Sequence, residues 1–177
     1  MKKICVFAGS ARGVDPDLPD LVGRIGAMIA ARNMGIVYGG GRTGLMGVVA
    51  DGALAAEGYV HGIIPKFLET LEVGHVGCTK LTITKDMHER KTKMYEEADM
   101  FLALPGGFGT MEEVLEIITW RQLRSHNKPI YVFNHKGYWQ SMIDMWQQAS
   151  AAGFIKPVHL SLVESLEDLD EVGDMLD

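Results

Sequence analysis

The sequence predicts an α/β fold in which a doubly wound parallel sheet of about six or seven strands carries helices on both faces. Short apolar runs alternate with longer stretches in which apolar residues recur at helical spacing. The runs are apolar at successive positions, as expected for parallel strands that are covered on both faces. Folds of this kind bind ligands beyond the carboxyl ends of their strands, so the turns that follow the strands are the first place to look for a site.

Six strands and six helices follow from these patterns. Two kinds of capping signal support the helix bounds: Asp86 and Glu89 have the spacing of a capping box, and Gly35 and Gly153 stand where a helix carboxyl end favours a left-handed residue. The predicted strands are residues 3–8, 36–38, 59–64, 81–84, 99–104 and 129–133. The predicted helices are residues 17–33, 45–57, 86–98, 110–124, 138–152 and 165–175.

Length and charge restrict the function classes. The 177 residues are enough for one ordinary domain, and no linker-like segment divides residues 1–177. Seventeen Lys and Arg against 23 Asp and Glu give a formal net charge of -6, which disfavours nucleic acid and anionic membranes as partners. No stretch approaches the roughly 18 apolar residues of a membrane helix. Cys5 and Cys78 have the spacing of neither a disulfide framework nor a metal finger, so we expect a cytoplasmic protein.

The turn after the second predicted strand is rich in glycine. Residues 39–44 read Gly-Gly-Gly-Arg-Thr-Gly and satisfy the G-x-G-x-x-G pattern. Such glycines let a phosphate approach the backbone and the amino terminus of the next helix. Binding of NAD also needs an acidic residue at the end of the following strand, and residues 59–64 run into Pro65 without one, which disfavours NAD. The alternative is that the glycines serve only tight helix packing.

A second glycine turn follows the fifth predicted strand. Residues 105–110 read Pro-Gly-Gly-Phe-Gly-Thr and open a helix. The backbone amides of Gly109 and Thr110, with the Thr110 hydroxyl, would hold a phosphate monoester at the positive end of that helix. No G-x-x-x-x-G-K-[ST] sequence is present, so this is not the phosphate loop of nucleoside triphosphatases. A monophosphate is the predicted ligand.

The first turn of the same helix contains two acids with different surroundings. Glu113 shares its helical stripe with Ile117 and Trp120, whereas Glu112 shares its stripe with Glu116. Glu113 is therefore predicted to be the desolvated acid. The alternative is a structural role, because any acid stabilises a helix amino terminus.

Two cations flank an apolar stripe on the helix predicted at residues 86–98. The stripe consists of Met87, Met94 and Ala98, and Arg90 and Lys91 lie close enough to it to point toward the interior. Buried cations need anionic partners, unless their stems extend along the helix to water. The six histidines form no H-x-x-x-H pair, so we expect no metal site.

Together these motifs resemble the LOG ("lonely guy") family of cytokinin riboside 5′-monophosphate phosphoribohydrolases. Its two signature motifs match Met-His-Glu-Arg-Lys at residues 87–91 and Pro-Gly-Gly-Phe-Gly-Thr-Met-Glu-Glu at residues 105–113. Further matches lie at residues 7–10, 38–41, 44–47 and 118–120. One departure is the first loop, which reads Ala8-Gly9-Ser10-Ala11 where the family often has a Cys-Gly-Ser-Ser type.

The resemblance implies a Rossmann-like, usually dimeric protein that needs neither metal nor cofactor. It would hydrolyse the N-glycosidic bond of an adenosine 5′-monophosphate bearing a prenyl-type substituent, with Arg90 and Glu113 as the catalytic pair. Many members have been labelled lysine decarboxylases, but nothing in this chain indicates a pyridoxal enzyme. The residues implied to bind substrate or phosphate are Gly9, Ser10, Gly40, Gly41, Thr43, Gly44, Met87, Lys91, Gly106, Gly107, Gly109 and Thr110.

Two questions stay open at this point. The same phosphate cradle would also serve a carrier or sensor that binds a nucleotide without chemistry. Plain AMP and prenylated AMP are both compatible with the motifs, because the pocket for the adenine substituent depends on side chains whose positions the sequence does not give.

Overall fold

A computed structural model describes residues 1–69 and 73–177. Seven strands form one sheet in which every pair of neighbouring strands is parallel. Numbered along the chain, they lie in the order β4-β3-β2-β1-β5-β6-β7. The strands are β1 (Lys3–Phe7), β2 (Gly35–Tyr38), β3 (Val60–Pro65), β4 (Lys80–Thr84), β5 (Met100–Ala103), β6 (Ile130–Phe133) and β7 (Glu164–Leu166).

Helices connect these strands and cover both faces of the sheet. Two further segments, His135–Gly137 and Pro157–Leu162, are 3-10 turns. The α-helices are α1 (Leu18–Ala31), α2 (Gly44–Ala55), α3 (Lys66–Glu69), α4 (Met87–Glu97), α5 (Phe108–Gln122), α6 (Gln140–Ala151) and α7 (Leu169–Leu176).

The central strand β1 shows how the sheet is buried on two sides. Ile4 and Val6 face one hydrophobic core, to which α1, α2 and α7 contribute. Cys5 and Phe7 face a second core, to which α4, α5 and α6 contribute. Successive side chains of a strand point to opposite faces, so a strand covered on both sides must be apolar throughout. The predicted doubly wound α/β class is confirmed.

The direction of winding reverses between β1 and β5. The chain moves outward from β1 through β2 and β3 to β4, then returns to pair β5 with the other edge of β1. The two strands stay together to their carboxyl ends, where the amide of Leu104 donates to the carbonyl of Phe7 at 2.8 Å and that of Gly9 donates to Pro105 at 3.1 Å. Beyond this point the loops diverge and leave a crevice, the usual ligand site of such a sheet.

Several local predictions need correction. The helix predicted at residues 165–175 begins later, because residues 164–166 form the edge strand β7 and the Asp168 carboxylate caps α7 by accepting from the amides of Asp170 and Glu171. A strand of three residues is too short to show a period in the sequence. The left-handed residue after α1 is Asn33, with φ of 53°, while Gly35 begins β2. Helix α3 was not predicted.

Two capping predictions are confirmed. Gly153 is left-handed after α6, with φ of 84°. Asp86 caps α4 by accepting from the amide of Glu89 at 2.9 Å. The carboxylate of Glu89 reaches one residue further back than in a standard capping box, since it accepts from the amide of Lys85.

Candidate active site

A cleft of about 320 Å³ opens at the carboxyl ends of β1 and β5, where the winding reverses. Its walls come from the loop after β1, the end of β2 and the amino-terminal turns of α4 and α5. It therefore draws together segments that are up to 107 positions apart in the chain, from Val6 to Glu113. The lining residues are Val6, Phe7, Ala8, Gly9, Ser10, Gly39, Met46, Leu68, Met87, Arg90, Gly107, Phe108, Gly109, Thr110, Glu112 and Glu113.

The amino terminus of α5 forms one wall of the cleft. Gly107 is its N-cap residue and, having no side chain, leaves the amides of the first turn without a side-chain cap. A Cβ atom at Gly107 or Gly109 would meet no protein atom within 4 Å. Packing within the protein therefore does not account for these two glycines, and the space beside them is available to a ligand. The arrangement suits an anion, because backbone amides and the helix dipole both favour negative charge there.

Gly106 has a different role from the two glycines that follow it. A Cβ atom there would overlap the side chain of Thr110 and crowd the backbone of Gly9. Thr110 is buried, and its hydroxyl lies directly against Gly106. Gly106 thus lets the threonine, the α5 turn and the loop after β1 approach each other closely.

Glu113 and Arg90 face each other in this cleft. Both are buried, Glu113 with 9% and Arg90 with 5% of its surface exposed, whereas the side chain of Glu112 is 54% exposed. The helical stripes therefore distinguished the two acids correctly. The Arg90 Nη2 atom lies 3.8 Å from Glu113 Oε1, which is within range for ion pairing but too long for a hydrogen bond.

Arg90 keeps donor capacity that the described residues leave unused. Its Nη1 atom contacts the sulfur of Met87 at 3.7 Å, and its buried Nε has no hydrogen-bond partner in residues 1–69 and 73–177. Gly39 packs against the guanidinium so closely that a Cβ atom there would overlap it. A buried cation with an unsatisfied donor is costly. The site therefore suits a ligand with phosphate or hydroxyl oxygens.

Lys91 faces α5, and its side chain does not line the cleft. Its Nζ atom donates to Glu112 at 2.8 Å and to Glu116 at 2.9 Å, so it connects α4 to α5. Burial acts to lower the pKa of Lys91, but the two carboxylates together outweigh it, and the pKa of Lys91 is raised. The ammonium is thus firmly charged, and carboxylates of the protein occupy two of its three donors.

Cys5 lies beneath the pair formed by Arg90 and Glu113. The thiol is fully buried, and burial, reinforced by the nearby Glu113, raises its pKa well above the usual value. A thiol held in its protonated form is a poor nucleophile. Cys5 is therefore part of the core under the site.

The glycine loop after β2 mostly supports the site from behind. Gly40, with φ of 77°, packs against Ile63 and Ile64 of β3, and Gly41 forms a bridge with Gly74. Gly44, with φ of 62°, packs against the backbone of Ser10 and so shapes the loop after β1.

The structure thus separates the residues implied by the resemblance into two groups. Cleft-lining members are Gly9, Ser10, Met87, Arg90, Gly107, Gly109, Thr110 and Glu113, while Gly40, Gly41, Thr43, Gly44, Lys91 and Gly106 lie around them. Met46 and Leu68 also line the cleft, although the sequence analysis missed them. Met46 falls within the family match at residues 44–47 but was assigned no role, and Leu68 belongs to no motif, so only their positions in space reveal that they line the cleft.

Two structural findings concern metals and membranes. Among residues 1–69 and 73–177, no three His, Cys, Asp or Glu side chains come together as metal ligands would. Within the same residues, no helix is both long and apolar enough to span a membrane.

Known proteins are similar to this chain over most of its length. The family model described as "Possible lysine decarboxylase" matches residues 46–176. Cytokinin riboside 5′-monophosphate phosphoribohydrolase LOG1 of Arabidopsis thaliana is 39% identical over 171 residues, which cover 97% of this chain and 80% of that protein. The probable phosphoribohydrolase LOGL1 of Oryza sativa subsp. japonica is 43% identical over 154 residues, covering 87% of this chain and 69% of that protein.

Solved structures with the same fold are more distant in sequence. The molybdenum cofactor carrier protein of Chlamydomonas reinhardtii aligns with a TM-score of 0.72 at 17% identity, covering 99% of this chain and 95% of that one. The molybdenum cofactor binding protein of Rippkaea orientalis aligns with a TM-score of 0.71 at 18% identity, covering 99% and 96%. At such identities the likeness concerns the fold alone.

Proposed function

The chain belongs to the LOG family of cytokinin riboside 5′-monophosphate phosphoribohydrolases, and on that premise we propose that it is a hydrolase acting on the N-glycosidic bond of an adenosine 5′-monophosphate. The products are the free adenine-type base, a cytokinin where the adenine carries a prenyl-type substituent, and ribose 5-phosphate. The observation that carries this proposal is the position of the buried Arg90 and Glu113 in a cleft beside the uncapped amino terminus of α5.

The 5′-phosphate is assigned to the amides of Gly109 and Thr110. Charge-assisted hydrogen bonds from an unsatisfied helix terminus favour a phosphate, and the open space beside Gly107 and Gly109 admits one. The phosphate is remote from the bond that breaks, so its binding energy serves to orient the ribose over Glu113. This predicts that the monophosphate is hydrolysed and the riboside is not.

Glu113 is assigned to the reacting carbon. Cleavage of the C1′–N9 bond builds positive charge on the ribose, and a carboxylate stabilises that charge while orienting the water that adds to C1′. In the balanced reaction, the hydroxyl of the water bonds to C1′, and the proton that the water loses balances the proton that the departing base gains. Arg90, with its unused donors, is assigned to ribose hydroxyl or phosphate oxygens and holds the sugar against Glu113.

The test is detection of free base after incubation with isopentenyladenosine monophosphate, AMP and isopentenyladenosine. We expect base from a monophosphate but not from the riboside, and the ratio of the two monophosphates ranks the substrates. Glu113→Gln should retain nucleotide binding and lose at least about a hundredfold in kcat. Glu96→Gln is the matched control, because Glu96 is an exposed acid on α4 outside the cleft.

Two results would overturn the proposal. Turnover by Glu113→Gln at the level of the Glu96→Gln control would remove Glu113 from the chemistry. AMP that raises the melting temperature without any base release by the wild-type protein would favour a nucleotide carrier or sensor.

We also propose that two copies of the chain associate, as the family resemblance implies, and that the protein acts in the cytoplasm. Support for association comes from an apolar groove of about 250 Å³ between α5, α6 and the turn at Pro157–Leu162. Leu115 and Met145 in this groove are 40% and 54% exposed, so the groove presents large apolar side chains to solvent. Light scattering should give the mass of two chains, and Met145→Glu should reduce it to the mass of one chain.

Support for a cytoplasmic location comes from the free thiols of Cys5 and Cys78.

A further inference from the structure

We propose that Lys91 is a positioning residue, which holds α4 and α5 in the register that places the Arg90 guanidinium beside Glu113 at the cleft. This inference rests on the proposed function and departs from the role in substrate binding that the family resemblance implies for Lys91. It follows from the ion pairs between two neighbouring cations of α4 and three acids of α5. These pairs are Arg90–Glu113, Lys91–Glu112 and Lys91–Glu116.

The two cross-helix contacts differ in geometry. Arg90 and Glu113 lie 3.8 Å apart, without a hydrogen bond between these two atoms. Lys91 lies at hydrogen-bond distance from both Glu112 and Glu116, at 2.8 and 2.9 Å. Glu112 and Glu116 are one helical turn apart, so a single ammonium joins α4 to two successive turns of α5. The short contacts of Lys91 thus set the spacing of the helices, and the looser pair faces the cleft.

The charges explain why the arrangement depends on Lys91. Two acids at positions i and i+4 of a helix repel each other, and Lys91 neutralises that repulsion between Glu112 and Glu116. Without it, the three carboxylates of α5 would compete for the neighbouring guanidinium of Arg90. Arg90 would then be drawn toward acids of the protein and away from the ribose or phosphate.

The surroundings of Lys91 argue against direct contact with the substrate. Its side chain is 15% exposed, and it borders a small cavity between α4 and α5 that Glu113, Glu116 and Trp120 also line. The larger cleft that holds the reacting groups is not lined by Lys91. An ammonium that already donates to two carboxylates of α5 has at most one donor left for a phosphate at the terminus of that helix.

The experiment compares Lys91→Met, Lys91→Arg and the control Lys93→Met in the intact protein. Lys93 lies on the same helix and pairs with Glu89 of that helix at 3.6 Å, so its removal changes the charge without affecting α5. We expect Lys91→Met to lower kcat on the order of tenfold through misplacement of the reacting groups. Its dissociation constant for ribose 5-phosphate, measured by calorimetry, should stay within about twofold.

Rescue and coupling separate positioning from general stability. Lys91→Arg keeps the charge and two donors, and should restore more than about half of the kcat. The double variant E112Q/E116Q should lower kcat similarly, and adding Lys91→Met to it should cost little more, because the residues act as one unit.

Three outcomes would overturn the inference while leaving the proposed function intact. The first is weaker binding of ribose 5-phosphate by Lys91→Met in proportion to its lost activity, which would make Lys91 a ligand of the phosphate. The second is a lower melting temperature with unchanged kcat, and the third is equal loss in Lys93→Met. Failure of the wild-type protein to release base would instead refute the proposed function.

Discussion

Gly39→Ala tests whether the position of Arg90 limits activity. Gly39 lies at the end of β2, and a methyl group there would overlap the guanidinium of Arg90. Gly39 is not among the residues with positive φ, so alanine brings no backbone strain at this position. The severe overlap is with the flexible end of the Arg90 side chain, and the next contact is the sulfur of Met46 at 3.3 Å.

The expected size follows from the geometry. Restoring a normal nonbonded separation requires the guanidinium to withdraw by about 1 Å or more. A displacement of that size in a positioning group costs about a hundredfold in rate, or about 2.7 kcal/mol in transition-state stabilisation. The cleft offers the guanidinium space to move into, so the free energy of unfolding should change little.

The assay is kcat/KM for base release, with the melting temperature recorded beside it. Gly23→Ala in α1 is the matched control, because its new methyl group would make ordinary contact at 3.7 Å with Val48, away from the cleft. We expect a large loss of kcat/KM in Gly39→Ala alone, at a nearly unchanged melting temperature. Activity of Gly39→Ala within about threefold of Gly23→Ala would refute the reasoning that links Gly39, Arg90 and catalysis.

Two further predictions concern packing and pH. In Gly106→Ala the new methyl group overlaps Thr110 and crowds the backbone of Gly9, so both the melting temperature and kcat/KM should fall, and a stable, active variant would contradict this account of the loop. His61 is buried, which lowers its pKa although Glu97 pairs with it at 2.9 Å. Because the unfolded chain then binds the proton more tightly, the stability from neutral His61 is fully present above pH of about 6.5 and declines as pH falls below it. Urea unfolding at pH 7.5 and 5.5 should therefore show a smaller pH-dependent loss in His61→Gln than in the wild type, and equal losses would refute the assignment.

The separation of Arg90 from Glu113 by 3.8 Å has a chemical consequence. A closely bonded pair would satisfy both groups and leave little capacity for substrate. Because Arg90 Nη2 stays beyond hydrogen-bond distance of Glu113 Oε1 and Arg90 Nε has no hydrogen-bond partner among the described residues, the guanidinium keeps donors for a sugar phosphate. In such a preorganised site, the free-energy cost of removing water from the charged groups is met when the protein folds. Substrate binding and catalysis therefore do not bear that cost.

The sequence alone was sufficient for features that depend on local periodicity and chemistry. Continuous apolar runs require a sheet covered on both faces, and the structure confirms the α/β class. Helical stripes distinguish the buried Glu113 from the exposed Glu112, because a period of 3.6 residues fixes which neighbours share a face. The cap at Asp86 follows from spacing of the same kind.

Tertiary structure decided which distant segments meet. Arg90 and Glu113 are on different helices, and their meeting depends on the reversal of winding between β1 and β5, which no local pattern encodes. The same holds for Gly39, which looks like part of a phosphate loop but serves to make room for Arg90. Lys91 shows the limit most directly: periodicity placed it near the interior, but its partners Glu112 and Glu116 lie more than 20 residues away, and only the packing of α4 on α5 brings them together.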